Sequence, residues 1–243
     1  MLKILKRQIQ GFTYLLLHPH QLKWIIIRET HYGQRKKSKR KWVEWQKYDA
    51  QKHISMMHAH SATLRSSTLN SARIQTFSDM VNRLGNGLRI LDVGCGDGVI
   101  SKPIWKMGNH VTSVELPTIA TIAQRCGVPS VVAGDAEKLA FALNTFDVVL
   151  ASEVVEHLWK PQDFLDEAHR VLKTNGYLII ETPEGKEGLY YDSHKHYFTV
   201  ERLKQMLGAR FAVCEVKRLK ATGSAQTPTI ILLLRKSMIT KNS

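Results

Sequence analysis

The run Asp92-Val93-Gly94-Cys95-Gly96-Asp97-Gly98, entered from the apolar stretch Leu88-Arg89-Ile90-Leu91, constrains this 243-residue chain more than any other. It predicts a buried strand that breaks into a glycine-rich turn and opens a helix. Glycines at three alternate positions strip the turn of side chains, so a ligand can lie directly against backbone N–H groups. A dinucleotide-binding turn of the form G-x-G-x-x-G would want its third glycine at Val99, and here it comes one residue early, at Gly98. Asp92, just before the turn, would repel a pyrophosphate. A ligand with a cationic centre and no phosphate suits that field better.

The residues downstream repeat a strand–helix alternation. Residues 111–116 form a second short apolar run that ends in Glu115-Leu116, with Glu115 19 residues after Gly96. At that separation a βαβ unit brings an acidic side chain alongside a ribose. A third strand, 130–132, runs into Ala133-Gly134-Asp135-Ala136, a fourth covers 146–151 and a fifth 176–181. Between the last two, Phe164, Leu165, Ala168, Val171 and Leu172 fall at helical spacing over 163–172. Phe198 begins a further helix with Thr199 as its N-cap, residues 211–216 read as an edge or late strand, and 229–234 as an unbroken apolar strand. The pattern predicts an α/β domain with a seven-stranded, mostly parallel sheet covered by helices on both faces. Ligands of such sheets bind beyond the carboxyl ends of the strands. Residues 94–98, Glu115, Asp135 and 152–157 all fall at those ends and should converge on one cleft.

The pattern D-x-G-x-G-x-G, followed by Glu115 and Asp135 in the right order, resembles the motifs of class I S-adenosylmethionine (SAM)-dependent methyltransferases over roughly residues 88–236. The resemblance implies a Rossmann-like fold and SAM as the cofactor. It implies that Asp92, Gly94, Cys95 and Gly96 form the cofactor turn, that Glu115 and Leu116 meet the ribose, and that Asp135 and Ala136 meet the adenine. Ser152 borders the same pocket. Cys95 reads as a small apolar filler and not as a nucleophile.

Ser152-Glu153-Val154-Val155-Glu156-His157 follows the fourth strand and gathers two carboxylates and an imidazole near the expected methyl end of the donor. Methyl transfer to a hydroxyl needs alignment of the acceptor and help in removing its proton, which assigns catalytic candidates Glu153, Glu156 and His157. With His194 and His196 further on, the set resembles two subgroups of the family. One is the ubiquinone-biosynthesis O-methyltransferases; the other is the small-RNA 3′-end 2′-O-methyltransferases, in which such residues hold a divalent metal. Glu-His after this strand also occurs in small-molecule methyltransferases without a metal, where the histidine orders the pocket or acts as base. Both readings stay open, the metal-free one being favoured. Tyr190, Tyr191, His194, His196 and Tyr197 crowd the segment after the fifth strand. His194 and His196 are expected to face substrate, whereas Tyr197 reads as part of a packed loop over the cofactor. No Asn/Asp-Pro-Pro-Tyr/Phe signature follows the fourth strand, which argues against amino-group methylation of bases or glutamine.

Charge divides the chain unevenly. Of a formal net charge of +14, residues 1–52 carry 13 Lys+Arg against 3 Asp+Glu, and the remainder is nearly balanced. The expected organisation is a basic helical N-terminal appendage over 1–70 and a methyltransferase domain over 71–243. Leu2, Leu5, Ile9, Phe12 and Leu16 share a helical face in the appendage. That face suits either a hairpin packed on the domain or peripheral attachment to an anionic membrane surface. Nucleic acid would be drawn by the same charges, but nothing resembling a nucleic-acid-binding motif accompanies them. Three cysteines without metal-ligand spacing favour a reducing compartment. The expectation is thus a cytoplasmic enzyme, either free or peripheral to the inner face of a membrane. It would methylate a small-molecule, lipid-quinone or glycan acceptor, with ribose 2′-O-methylation of RNA as the alternative.

Overall fold

The computed structural model describes residues 38–44, 68–185, 194–220 and 228–238. The amphipathic segment at 1–17, the densest basic residues at 35–37, and Tyr190 and Tyr191 lie outside the described residues. The chain divides into two compact units, Met1–Trp45 and Gln46–Ser243. In the first, residues 39–44 are helical, with Arg40 and Glu44 paired at 3.3 Å across one turn.

The second unit is built on one seven-stranded sheet. Its strands are β1 (Arg89–Val93), β2 (His110–Glu115), β3 (Val131–Ala133), β4 (Phe146–Ser152), β5 (Leu172–Pro183), β6 (Phe211–Leu219) and β7 (Thr229–Lys236), in the order β3-β2-β1-β4-β5-β7-β6. β3, β2, β1, β4 and β5 run parallel, while β7 is antiparallel to both β5 and β6. All seven expected strands form. β5 begins earlier than the sequence suggested, at Leu172 and not Gly176, because Leu172 already pairs with Phe146 directly after the preceding helix.

Among the described residues, five α-helices cover the sheet: α1 (Thr68–Leu84), α2 (Ser101–Lys106), α3 (Pro117–Arg125), α4 (Pro161–Val171) and α5 (Val200–Leu207). Strand side chains alternate between the faces. Val148 and Leu150 of β4 join Phe77, Met80, Val81 and Ile104 of α1 and α2 on one side. Val149 and Ala151 join Phe164, Leu165, Leu203 and Leu207 of α4 and α5 on the other. α3 and α4 each open on a proline, where a missing N–H leaves no helical bond unmade. Thr199 caps α5 as expected, its hydroxyl accepting from Arg202 N at 3.2 Å. α1 was not anticipated from the sequence, and it begins at Thr68, so it runs through the boundary placed at 70/71. Among the described residues, no helix is long and apolar enough to cross a membrane.

Candidate active site

At the end of β1 the chain turns back against β2, and Gly94 N and Cys95 N both donate to Val114 O, at 2.8 and 3.3 Å. Gly94 has φ +72°, and a Cβ there would stand 2.5 Å from Val154 Cγ2. Gly96 has φ +52°, and a Cβ there would meet nothing within 4 Å. The turn is therefore closed behind and open in front. Glu115, at the tip of β2, accepts from Leu116 N at 2.6 Å and reaches Gly96 N at 3.4 Å. Beneath the turn Asp92 is buried and accepts a hydrogen bond from the Ser101 hydroxyl. Burial pushes both Asp92 and Glu115 up to about 7. Burial likewise pushes the Cys95 thiol far up, in keeping with an apolar filler and not a nucleophile. Past β3, Asp135 Oδ1 accepts from Glu137 N at 2.9 Å, so one carboxylate oxygen shapes the Asp135-Ala136-Glu137 turn.

The loop after β4 carries the second group. Glu153 has φ +56°, a left-handed backbone costly for a residue with a side chain, and its N–H donates to Glu181 O at 3.0 Å. A turn then closes from His157 N to Val154 O at 2.9 Å. Glu156 is 1 % exposed, and its Oε2 accepts from Thr182 Oγ1 at 3.0 Å. Its Oε1 lies 4.0 Å from His157 Nε2. The His157 and His194 rings meet edge to face with centroids 4.7 Å apart. Ligand atoms of Glu156, His157 and His194 all fall within 4.8 Å of one another. Burial, reinforced for Glu153 by neighbouring carboxylates, pushes both Glu153 and Glu156 well above the usual carboxylate range.

A model of a methyltransferase domain matches residues 91–180. Over those residues the chain is similar to a methyltransferase domain. A ubiquinone biosynthesis O-methyltransferase of Azorhizobium caulinodans is 42% identical over 102 residues, which cover 40% of this chain and 40% of that protein. The mitochondrial ubiquinone biosynthesis O-methyltransferase of Schizosaccharomyces pombe is 32% identical over 124 residues, covering 47% and 45%. The chain's match thus spans about two fifths of the length of these curated relatives. Among solved structures, the 1,6-didemethyltoxoflavin N1-methyltransferase of Burkholderia thailandensis superposes with a TM-score of 0.64 at 21% identity, over 83% of this chain and 91% of that one. That structure was solved with 1,6-didemethyltoxoflavin and S-adenosylhomocysteine bound. The fold of the second unit is the Rossmann-like one expected.

Not every expected site residue of the methyltransferase domain shares one cluster. Glu156, His157 and His194 come together. His196 lies elsewhere: its Nε2 sits 3.0 Å from Leu158 O, and burial holds its pKa below the ordinary histidine value. Ser152 is tied into a buried network, accepting from Arg73 Nη2 at 2.8 Å and donating to Glu181 Oε2. Arg73 Nε pairs with Glu181 Oε1 at 2.6 Å, and the Glu181 side chain is fully buried. The sequence reading missed Arg73, Glu181 and Glu137. A signal for the first was present: Arg73 precedes Phe77, Met80 and Leu84 on one helical stripe, and a cation on an apolar stripe requires a buried acid. Glu181 was visible as the lone acid closing the run Leu178-Ile179-Ile180.

Proposed function

We propose that the chain transfers a methyl group from SAM to a hydroxyl oxygen of a small-molecule, quinone-type lipid or glycan intermediate. The observation that carries this reading is the grouping of Glu156 and His157, which follow β4, with His194, which follows β5, at the same end of the sheet as the open glycine turn. Identity of 42% to a ubiquinone biosynthesis O-methyltransferase supports a hydroxyl acceptor. The residues fit the cofactor. Gly96 leaves space where a side chain would stand, and Glu115 and Asp135 are acceptors for ribose hydroxyls and an adenine amino group. Gly94, Cys95, Leu116, Ala136 and Ser152 complete the wall, with Asp92 as the buried support. When bound, SAM supplies a methyl group already activated on its sulfonium.

The work left to the protein is alignment and removal of the acceptor proton. His157 takes that proton, and the Glu156 carboxylate beside it stabilises the resulting imidazolium. His194 fixes the ring of His157 from the side. Glu153 borders this group, while His196, outside it, steadies the backbone of the same loop through Glu156 O and Leu158 O. The same carboxylate and two imidazoles fit a divalent cation, which would make the acceptor hydroxyl easier to ionise.

The basic segment before the domain supports peripheral attachment to an anionic membrane from the cytoplasmic side. Residues 1–41 hold 11 Lys+Arg against the single acid Glu29. The same charge is the one observation favouring RNA as acceptor, through ribose 2′-O-methylation. Labelled SAM incubated with the purified chain and fractionated cell extract separates these readings. Label in lipid or small-molecule fractions is the expected result; label that becomes soluble only after ribonuclease treatment would transfer the assignment to RNA. Loss of activity in EDTA with recovery in Mg²⁺, Mn²⁺ or Co²⁺ would assign Glu156, His157 and His194 to a cation, and indifference to chelator would leave His157 as base.

A further inference from the structure

The geometry points to Glu137 as a positioning residue that couples the adenine side of the cofactor site to the loop carrying His157. This deepens the reading above and rests on it for the identity of the ligand. Glu137 follows Asp135 by two residues, and its N–H makes the hydrogen bond to Asp135 Oδ1. From there its side chain turns inward and is buried. Oε1 accepts two backbone bonds, from Trp159 N at 2.5 Å and Lys160 N at 2.9 Å, across 22 and 23 residues of sequence.

Those two N–H groups stand at the start of α4, whose first turn also holds Asp163. The N-cap is Lys160, which makes no capping bond, and Pro161 has no N–H to offer. Glu137 thus brings a carboxylate from a different loop to the positive end of an eleven-residue helix. Trp159 and Lys160 close the loop 153–160, which bears Glu153, Glu156 and His157.

The same loop is also held by the segment of His194. Lys195 N and His196 N both donate to Glu156 O, at 2.7 and 3.1 Å, and His196 Nε2 sits 3.0 Å from Leu158 O. Lys195 Nζ donates to Trp159 O at 3.3 Å and lies 3.0 Å over the Trp159 ring. The loop is therefore gripped both by a backbone segment and by the Glu137 carboxylate. A ligand that engages Asp135 stiffens the turn from which Glu137 projects. That stiffness passes through two short hydrogen bonds to the loop of His157. The acceptor then meets a loop already ordered, which lowers the cost of aligning it.

Hydrogen exchange on the full chain, with S-adenosylhomocysteine as probe, tests this. In the ligand-free wild type the amides of Trp159 and Lys160 should be protected. Glu137→Ala should speed their exchange by about tenfold or more, the loss expected when a bond to a charged acceptor is removed. Glu137→Gln, which keeps an acceptor oxygen without the charge, should fall between. Saturating probe, checked by calorimetry, should slow exchange across 157–160 in the wild type and leave it unchanged in Glu137→Ala. A general loss of packing would instead speed exchange throughout the sheet, and the Glu137→Gln comparison stands if the alanine variant unfolds. Wild-type exchange at Trp159 and Lys160 in both ligand-free variants would overturn the proposal. So would equal ligand-induced slowing in Glu137→Ala and wild type. Failure of the wild type to bind the probe would instead strike the cofactor assignment, and the ligand-free comparison would still decide the role of Glu137.

Discussion

Gly94→Ala and Gly96→Ala add the same methyl group two residues apart, and the structure separates their consequences. At Gly96 the added Cβ meets nothing within 4 Å, so the fold loses only what a left-handed backbone costs an L-residue, about 1–2 kcal/mol. Restricting the unfolded chain returns about 0.4–1 kcal/mol, leaving a net loss of about 1 kcal/mol. At Gly94 the same backbone term applies, and the Cβ also stands 2.5 Å from Val154 Cγ2. Carbon–carbon contact is favourable near 3.5–4.0 Å, roughly an ångström further out. Val154 is buried and β-branched, so it has little freedom to swing aside, and overpacking of this kind costs about 1–3 kcal/mol more. Thermal unfolding should show Gly96→Ala within about 2–4 °C of the wild type and Gly94→Ala lower by roughly twice that or more. Calorimetric titration with S-adenosylhomocysteine should show the opposite order of severity for Gly96→Ala, which keeps the fold but puts a methyl group into the proposed nucleoside site. Wild-type affinity in Gly96→Ala would refute the claim that the ligand rests on this turn. Wild-type stability in Gly94→Ala would refute the close packing of the turn on Val154.

Glu115→Ala should weaken SAM binding by about 1–3 kcal/mol in the same titration, because ribose hydroxyls would be left without an acceptor. His157→Ala should reduce turnover by about 10²-fold while sparing cofactor affinity, as measured by steady-state kinetics once an acceptor is in hand. Arg73→Met should destabilise the domain by about 3–5 kcal/mol in urea titrations, since it strands the buried Glu181 carboxylate; adding Glu181→Leu should recover most of that loss. The ligand-free chain should melt at lower temperature as pH rises from 5 to 8. Asp92 and Glu115 keep their protons up to about 7 in the folded chain, whereas the unfolded chain releases them near 4. The folded state then binds more protons, so the penalty is absent below about pH 4, grows through about pH 7 and is constant beyond. A melting temperature that climbs over this window would show that the two carboxylates are not buried as described.

The middle of the sheet was legible because β1, β4, β5 and β7 each hold a compact apolar run, and burial on both faces imposes that composition. The edge position of β6 could be read from its mixed polarity, and Thr199 from its place ahead of an amphipathic run. The glycine turn, Glu115, Asp135 and the Glu156-His157 pair were also visible, since each sits at a strand end with a fixed spacing. What stayed hidden was carried by long-range partners. Arg73 finds Glu181 more than a hundred residues away, and Glu137 meets Trp159 only after the chain has folded around β4. The separation of His194 from His196 was equally illegible. The two alternate in sequence, but Leu158 O captures one ring while His157 stacks against the other.

The order β5-β7-β6 has a consequence for how the protein is made. β6 leaves the ribosome before β7, yet β7 is the strand that joins it to the sheet. Until residues 229–236 have emerged, the far side of β5 is a bare edge whose Leu178-Ile179-Ile180 run offers unpaired N–H and C=O groups to any passing chain. Synthesis therefore holds open a period of aggregation risk that only the last strand ends. The residue types that make β7 so apolar are the ones needed to wedge it quickly between two neighbours already waiting.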